Sequence, residues 1–376
     1  MNFDLTEERQ MLQDGLRRYL VQAANPQSRA AAVEAEAAVD PELWGGLAEM
    51  GVIGALFTEE QGGFGGAGFD LAVVFEELGR AGAVTPLLEV VLAGGLLAQA
   101  GDAHADLLGE VIAGTRALAY AHGEPASRYD LSRVETTARR EGDDYVIDGR
   151  KAVVVGGAQA DMLVLSARTS GERDDAGGIS LFAVPADSAG LQWRDYPLAD
   201  GGRAAELVID GLRAGSGSLL GAEGGAHDAI EYAQARGTAA LCAEALGLME
   251  AARALTADYL RTRKQFGQPI GKFQALQHRM ADMLIEIEQA RSAVINLCGR
   301  LQLSRREREI NVSATKQLVG RVARHVTEEA IQMHGGIGMT EEYELAHLAR
   351  RLTMTDHRLG DSTYHLGRFV ALGAVA

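Results

Sequence analysis

Apolar residues in the first 115 or so positions recur at the three- and four-residue spacing of helices. Behind Thr6, which suits an N-cap, Leu12, Leu16, Tyr19 and Leu20 fall at helical spacing. Further helical runs are expected from Arg29 to Ala38, Leu43 to Met50 and Phe69 to Ala81. At Ala117 the pattern changes. From there to about Leu220 short alternating runs read as strands: Val134 to Ala138, Tyr145 to Ile147, Lys151 to Val155, Met162 to Ala167, Ile179 to Val184 and Ala205 to Ile209. Asp143-Asp144 and Asp148-Gly149 supply turns between them. Successive strands without long helices imply an antiparallel sheet or barrel. Helical periodicity returns at about Ala226. One stripe runs Leu241, Ala245, Leu248, Ala252, Leu255 and Tyr259, and another runs from Phe273 through Met283 and Ile287 to Leu297. Two more helices are expected from Glu307 to Met333 and from Thr340 to Thr355, and a last short one after Gly360. The predicted architecture is α+β: a helical domain over 1–115, a central antiparallel β-barrel over 116–222, and a C-terminal four-helix bundle over 223–376.

Composition narrows the function classes. The chain has 376 residues, 47% hydrophobic and 23% charged, with a net charge of −16, which argues against nucleic-acid binding. Its two cysteines, Cys242 and Cys298, fall in helical segments, so neither a disulfide scaffold nor a cysteine-rich metal site is expected. The nine histidines show no metal-ligand spacing. The N-terminus carries no signal-peptide pattern, and the apolar run near Val90 to Leu97 is too short to cross a bilayer. A cytoplasmic protein without membrane contact is the expectation. Gly63, Gly65 and Gly68 spell a G-x-G-x-x-G, yet no βαβ pattern surrounds them, and they read as a flexible connector between helices.

Two motifs carry more chemistry. The first is Arg263-Lys264-Gln265-Phe266-Gly267-Gln268-Pro269-Ile270-Gly271-Lys272-Phe273-Gln274, and the second is Gln332-Met333-His334-Gly335-Gly336-Ile337-Gly338. Arginine suits a pyrophosphate and paired glycines admit close backbone approach. Taken one at a time, Arg263 could equally cap a helix and Gly335-Gly336 could end one. Together the two motifs resemble those of acyl-CoA dehydrogenases, whose helical, β, helical order the whole chain matches. The resemblance implies an FAD-dependent desaturase that forms an α,β-unsaturated acyl-CoA. It also implies that Arg263, Phe266, Gln274, Gln332, Gly335, Gly336 and Thr363 contact FAD, the C-terminal motifs doing so in a neighbouring subunit.

That chemistry needs a carboxylate to take an α-proton. Counting back seven residues from Arg368 places Asp361 on the family's glutamate position, with a reach shorter by roughly 1.3–1.5 Å. Asp361-Ser362 before a helix is also a standard N-cap, and the two roles are compatible. The alternative base position in some branches is Gly237 here; Glu244, two turns away, reads as an interhelix polar residue. The central domain departs from the family pattern. Gly123 stands where threonine is expected, Arg128 and Tyr129 replace small residues, Val153 and Val155 replace Trp and Thr, and Thr238 replaces a CoA-binding arginine. His122 replaces an apolar residue.

Within the family the chain most resembles the small subunit of pimeloyl-CoA dehydrogenase-like and steroid side-chain enzymes built of unequal subunits. The phrases Glu124-Pro125-Ala126-Ser127-Arg128-Tyr129-Asp130 and His334-Gly335-Gly336-Ile337-Gly338-Met339-Thr340 carry this closer likeness. It implies an acyl-CoA substrate of the dicarboxylyl or steroid side-chain class. It also implies a homologous larger subunit in a heterotetramer and an electron-transferring flavoprotein or similar acceptor. Three readings stay open: a catalytic subunit with Asp361 as base, a non-catalytic partner that completes another chain's FAD site, and a flavin oxidase on this fold.

Overall fold

Thr6 opens the first helix as the pattern predicts. Its hydroxyl accepts the Arg9 amide, and α1 runs Glu7–Ala23 with Leu16 and Leu20 buried. The computed structural model describes residues 5–374. The helices α2 (Pro26–Glu34), α3 (Pro41–Glu49), α4 (Gly68–Arg80), α5 (Leu87–Glu89), α6 (Gly95–Gln99) and α7 (Ala105–Ile112) follow. A π turn, Val90–Gly94, separates α5 from α6. By compactness the chain falls into two units, each assembled from separated stretches.

One unit comprises Ala30–Gly66 and Thr85–Gly237. It holds an eight-stranded sheet with the path β6-β7-β3-β2-β4-β5-β8 and β1 paired to β4. The strands are β1 (Leu118–Ala121), β2 (Thr137–Glu141), β3 (Asp144–Val155), β4 (Met162–Arg168), β5 (Ile179–Pro185), β6 (Leu191–Pro197), β7 (Arg203–Ala214) and β8 (Leu219–Leu220). The expected antiparallel barrel is corrected on two counts. The path is open rather than closed, and β4 pairs in parallel with β1 and with one residue of β2. Asp148-Gly149 is no turn either: β3 runs straight through it, with register shifts at Ile147/Gly149 and Lys151/Val154. β6 escaped the sequence pattern because most of its side chains face solvent. The core of this unit gathers Ile147, Leu163, Leu165, Phe182, Leu207 and Ile209.

Among the described residues no strand precedes the glycine-rich stretch, so it forms no dinucleotide turn. It is also not slack. A Cβ on Gly63 would fall 2.3 Å from the Gly54 carbonyl oxygen, and one on Gly65 would fall 2.4 Å from that of Ala55. The buried Arg236 guanidinium donates to the carbonyls of Leu56 and Gly66 and holds this backbone in place.

The other unit comprises Met1–Arg29, Ala67–Val84 and Thr238–Ala376, so far as these are described. Its later elements are α8 (His227–Thr262), which enters the unit at Thr238, a hairpin of β9 (Lys264–Gln265) and β10 (Gln268–Pro269), α9 (Gln274–Cys298), α10 (Arg305–His334), α11 (Glu344–His357) and α12 (Ser362–Ala374). α10 is the shared neighbour of α9, α11 and α12. α4 and α8 cross at van der Waals contact through two glycines. A Cβ on Gly247 would lie 1.9 Å from the Glu76 carbonyl oxygen, and one on Gly79 would lie 2.0 Å from that of Glu244. Arg291 ties the crossing together with ion pairs to Glu76 at 3.2 Å and Glu250 at 2.6 Å.

Because the opposing atoms at the crossing are backbone, neither helix can accommodate a methyl group by a rotamer change. Gly247→Ala is therefore expected to destabilise the chain by about 1–3 kcal/mol, read as a lower thermal midpoint. An unchanged midpoint would mean that the helices separate at no cost.

Candidate active site

β1 leads into His122, Gly123 and the turn Glu124–Ser127. The Ser127 hydroxyl accepts the Glu124 amide and donates to the Glu124 carbonyl, both at 3.0 Å, so the turn itself consumes it. Gly123 accepts the Ala152 amide at 2.8 Å, which docks the turn on β3. Beside it β3 bulges, and Val153 adopts φ +54° with 56% of its surface exposed. A β-branched residue there is strained and covers nothing. Arg128 is likewise at positive φ, with its guanidinium over the Tyr129 ring. No side-chain hydroxyl stands at Gly123, Val153 or Val155.

Behind the turn lies a fully buried ammonium. Lys151 Nζ donates to Glu124 at 2.7 Å, to Ser166 Oγ at 3.1 Å and to the His122 carbonyl at 3.3 Å. Burial pushes Lys151 down to about 8, against the pull of Glu124. Burial alone would raise Glu124, but Lys151 and the amides of Thr136 and Glu135 hold it below the usual carboxylate range. Burial, reinforced by Lys151, pushes His122 down to about 3.

In the other unit, one ring stack gathers the two C-terminal motifs. Tyr259, in the last turn of α8, stacks on His334 at the end of α10 with centroids 4.5 Å apart. Arg263 follows Tyr259 by four residues and donates its amide to the Tyr259 carbonyl; Gly335 follows His334 directly. His334 is fixed by hydrogen bonds at Nδ1 to the Ala330 carbonyl and at Nε2 to the Tyr343 hydroxyl. Arg263, Phe266, Gln274, Gln332, Gly335 and Gly336 are all exposed. Phe266 and Gly267 form the hairpin turn at φ +53° and +79°, a geometry that glycine tolerates and phenylalanine resists. Phe266 is 90% exposed, and the Phe273 ring lies edge-on to it at 6.1 Å. A Cβ on Gly267, Gly335 or Gly336 would meet nothing within 4 Å.

Asp361 sits on the turn between α11 and α12. Its Oδ1 accepts the Tyr364 amide at 2.7 Å, so it does cap α12. Thr363 lies exposed in the first turn of that helix. The preceding backbone turns through positive φ, which strains Leu359 at +56° and which Gly360 tolerates at +106°. Side chains that the sequence did not single out hold it. The fully buried Lys316 donates to the carbonyls of Gly360 at 2.6 Å and Asp356 at 3.0 Å. Asp356 in turn accepts the Ser362 amide and hydroxyl. His365 Nε2 donates to the Leu359 carbonyl at 2.9 Å, and burial pushes its imidazole down to about 4. Glu244 pairs with Arg351 between helices, the polar role expected of it.

Known proteins place this geometry. The pattern described as Acyl-CoA dehydrogenase, N-terminal domain, matches residues 6–106; the middle domain matches 119–211 and the C-terminal domain 223–369. The Bacillus subtilis protein YngJ, named as a probable acyl-CoA dehydrogenase, is 30% identical over 98% of both chains. The chain belongs to the acyl-CoA dehydrogenase family. Among solved structures, butyryl-CoA dehydrogenase from Megasphaera elsdenii superposes with a TM-score of 0.89 at 27% identity, covering 100% of each chain. The Tcur3481-Tcur3483 steroid ACAD superposes with a TM-score of 0.88 at 31% identity, covering 98% of this chain and 99% of that one.

This acyl-CoA dehydrogenase homologue is thereby an oxidoreductase acting on CH–CH bonds, in a family that uses FAD. Its own residues fit that cofactor unevenly. The exposed arginine, phenylalanine and open glycines around Tyr259 and His334 suit a pyrophosphate and an aromatic base. The face at Gly123 and Val153 offers backbone groups in place of side-chain hydroxyls. Among the described residues no cluster of three potential metal ligands occurs, and no helix is long and apolar enough to cross a membrane.

Three imidazoles, His122 and His365 buried and His347 partly so, make stability pH-dependent. His122 is held down to about 3, and His347 and His365 to about 4, each chiefly by burial. In the unfolded chain each regains its ordinary value near 6.5. Between these values the unfolded chain binds more protons, so the stability these groups contribute is complete above about pH 6.5 and falls as pH drops. At pH 5 unfolding is expected to take up about three protons from these groups. The slope of unfolding free energy against pH reports this directly; a flat profile between pH 5 and 6.5 would contradict it.

Proposed function

We propose that the chain is a subunit of an FAD-dependent acyl-CoA dehydrogenase built of unequal subunits, with Asp361 as the α-proton acceptor. The observation that carries this reading is the turn before α12. A carboxylate follows a turn in which Leu359 is strained and Gly360 supplies the positive φ, and a buried lysine, a buried aspartate and a neutral histidine fix that backbone. Strain maintained by this much surrounding structure is the mark of a working position rather than of a helix start alone. The cap occupies Oδ1 and fixes the carboxylate against the helix, which limits its orientations and leaves the group anchored while it takes a proton. Bound FAD supplies the hydride acceptor at the β-carbon. Arg263, Phe266, Gln332, Gly335 and Gly336 hold the FAD of a neighbouring subunit. The resemblance to steroid and pimeloyl-CoA enzymes, with the match to a steroid ACAD, supports steroid side-chain or dicarboxylyl CoA esters as substrates. Electrons pass to an electron-transferring flavoprotein or similar acceptor.

A second reading has its own support. Gly123, Val153 and Val155 lack the hydroxyls the family uses toward flavin, and the Ser127 hydroxyl is spent on its own turn. This favours a partner subunit that completes a homologous chain's FAD site and catalyses nothing itself. Asp361→Asn separates the two. Asparagine keeps an oxygen for the cap but cannot accept the proton. Turnover of the assembled complex with an acyl-CoA is expected to fall by about 10²–10⁴-fold, with the thermal midpoint little changed. Unchanged turnover would leave Asp361 a cap and assign the chemistry to the partner.

A further inference from the structure

The two fully buried lysines balance their charges differently. Lys151 has a carboxylate in contact, Glu124 at 2.7 Å. Lys316 donates instead to two main-chain carbonyls, those of Gly360 at 2.6 Å and Asp356 at 3.0 Å. Carbonyl oxygens satisfy an ammonium's hydrogens but carry no charge to offset its own. A buried charge held this way depends on counter-charges further off, which act strongly through an interior that screens little.

Burial pushes Lys316 down from its ordinary value, and Cys242, Asp356 and Asp361 pull it back up. These groups are not equivalent. Cys242, on α8, has its thiol pushed up to about 12 by burial, so it is uncharged at neutral pH. Asp356, on α11, already spends Oδ1 on the Ser362 amide and hydroxyl and pairs Oδ2 with Arg324 at 3.3 Å. Arg358, just after α11, adds a second positive charge. On α12, His365 is neutral and Arg368 pairs with Glu309 of α10 at 2.7 Å. Glu309 is also taken by Arg308. Asp361 is the remaining carboxylate that acts on Lys316, and it follows directly the carbonyl that Lys316 binds.

We propose that Lys316 is a positioning residue for α-proton abstraction: its ammonium and the Asp361 carboxylate hold each other charged, so that Asp361 meets the substrate ionised. The inference rests on the reading of Asp361 as the proton acceptor and adds the group that sets its charge. A carboxylate at the start of a helix has only the cap and the local dipole to keep it ionised, and both act at its own end of the turn. The ammonium adds a full charge from behind. When Asp361 takes the α-proton, the C–H electron pair stays with the substrate and Lys316 loses a counter-charge. Loss of that proton to solvent restores the pair, so the same lysine favours the return of the base to its working state.

The test is the acid limb of kcat/KM for an acyl-CoA, measured on the assembled enzyme, where it reports protonation of the base. Lys316→Gln keeps a donor for the carbonyls and removes the charge. Its acid limb is expected to move up by about one pH unit or more, because the carboxylate has lost its cation. Lys316→Arg keeps the charge and should leave the limb in place, whatever it does to the plateau. A merely structural role would lower the plateau or the thermal midpoint and leave the limb unmoved in both variants. That result would overturn the proposal, as would an equal shift in Lys316→Arg. Lys316→Met, also uncharged, gives the same comparison if the glutamine variant does not assemble. Failure of both neutral variants beside an intact Lys316→Arg would overturn it too, by making the charge a requirement of folding. Unchanged turnover in Asp361→Asn would instead remove the reading of Asp361 as base, and this proposal with it.

Discussion

A primary ammonium cannot remain in a protein interior without acceptors, and this chain buries one in each unit. Lys316 and Lys151 are both fully buried. Each satisfies itself with groups that belong to a turn bearing candidate chemistry. Lys316 takes the carbonyls at the end of α11 and of Gly360, where an outgoing helix leaves acceptors unused. Lys151 takes Glu124, Ser166 and the His122 carbonyl. Each lysine thus dictates the backbone around it, and Asp361 and His122 are positioned as a consequence. Removing either would leave carbonyls or a carboxylate unpaired in the interior, so these turns cannot relax independently of their lysines.

The same turns hold the chain's unusual backbone. Arg128, Val153, Phe266 and Leu359, all non-glycine residues at positive φ, lie in or beside the candidate site segments; Glu36 is the other described case. Val153 and Phe266 expose their strain to solvent, whereas Leu359 is held by the His365 hydrogen bond to its carbonyl. Exposed strain with no internal compensation is what a surface covered by a cofactor or a homologous subunit looks like when viewed alone. The two units therefore contribute differently. The helical one presents exposed motif residues around the Tyr259–His334 stack, and the β unit presents backbone and a buried polar network.

Helix placement was legible in the sequence because burial there is periodic. Thr6, the α9 stripe through Met283 and Ile287, and the change of pattern near residue 117 all stand where the apolar spacing put them. The sheet was less legible. β6 has no buried face to alternate, and Asp148-Gly149 reads as a turn although it forms a bulge. Motif matching singled out Arg263, Phe266, Gln274, Gln332, Gly335 and Gly336, all of which lie exposed. It missed Lys316, Asp356, Lys151 and Ser166. For Lys316 a signal existed: it falls on the buried face of α10 with Val312 and Val319, where a charge is out of place unless it is paired. For Ser166, inside an apolar strand, no pattern could reveal the network, which exists only once the folded sheet brings residues of β1, β3 and β4 together.

We propose that this chain carries a half-site for a neighbour's FAD and a depleted one of its own. Flavin stoichiometry tests it most directly, measured by absorbance on the chain purified alone and on the chain co-expressed with a homologous larger subunit. Several missing hydroxyl contacts, each worth about 0.5–1.5 kcal/mol, lower affinity by orders of magnitude. The chain alone should therefore purify with little or no FAD, and the mixed assembly should hold fewer than one FAD per subunit. One FAD per chain in a homo-oligomer, with the ring against Val153 and Val155, would contradict the account.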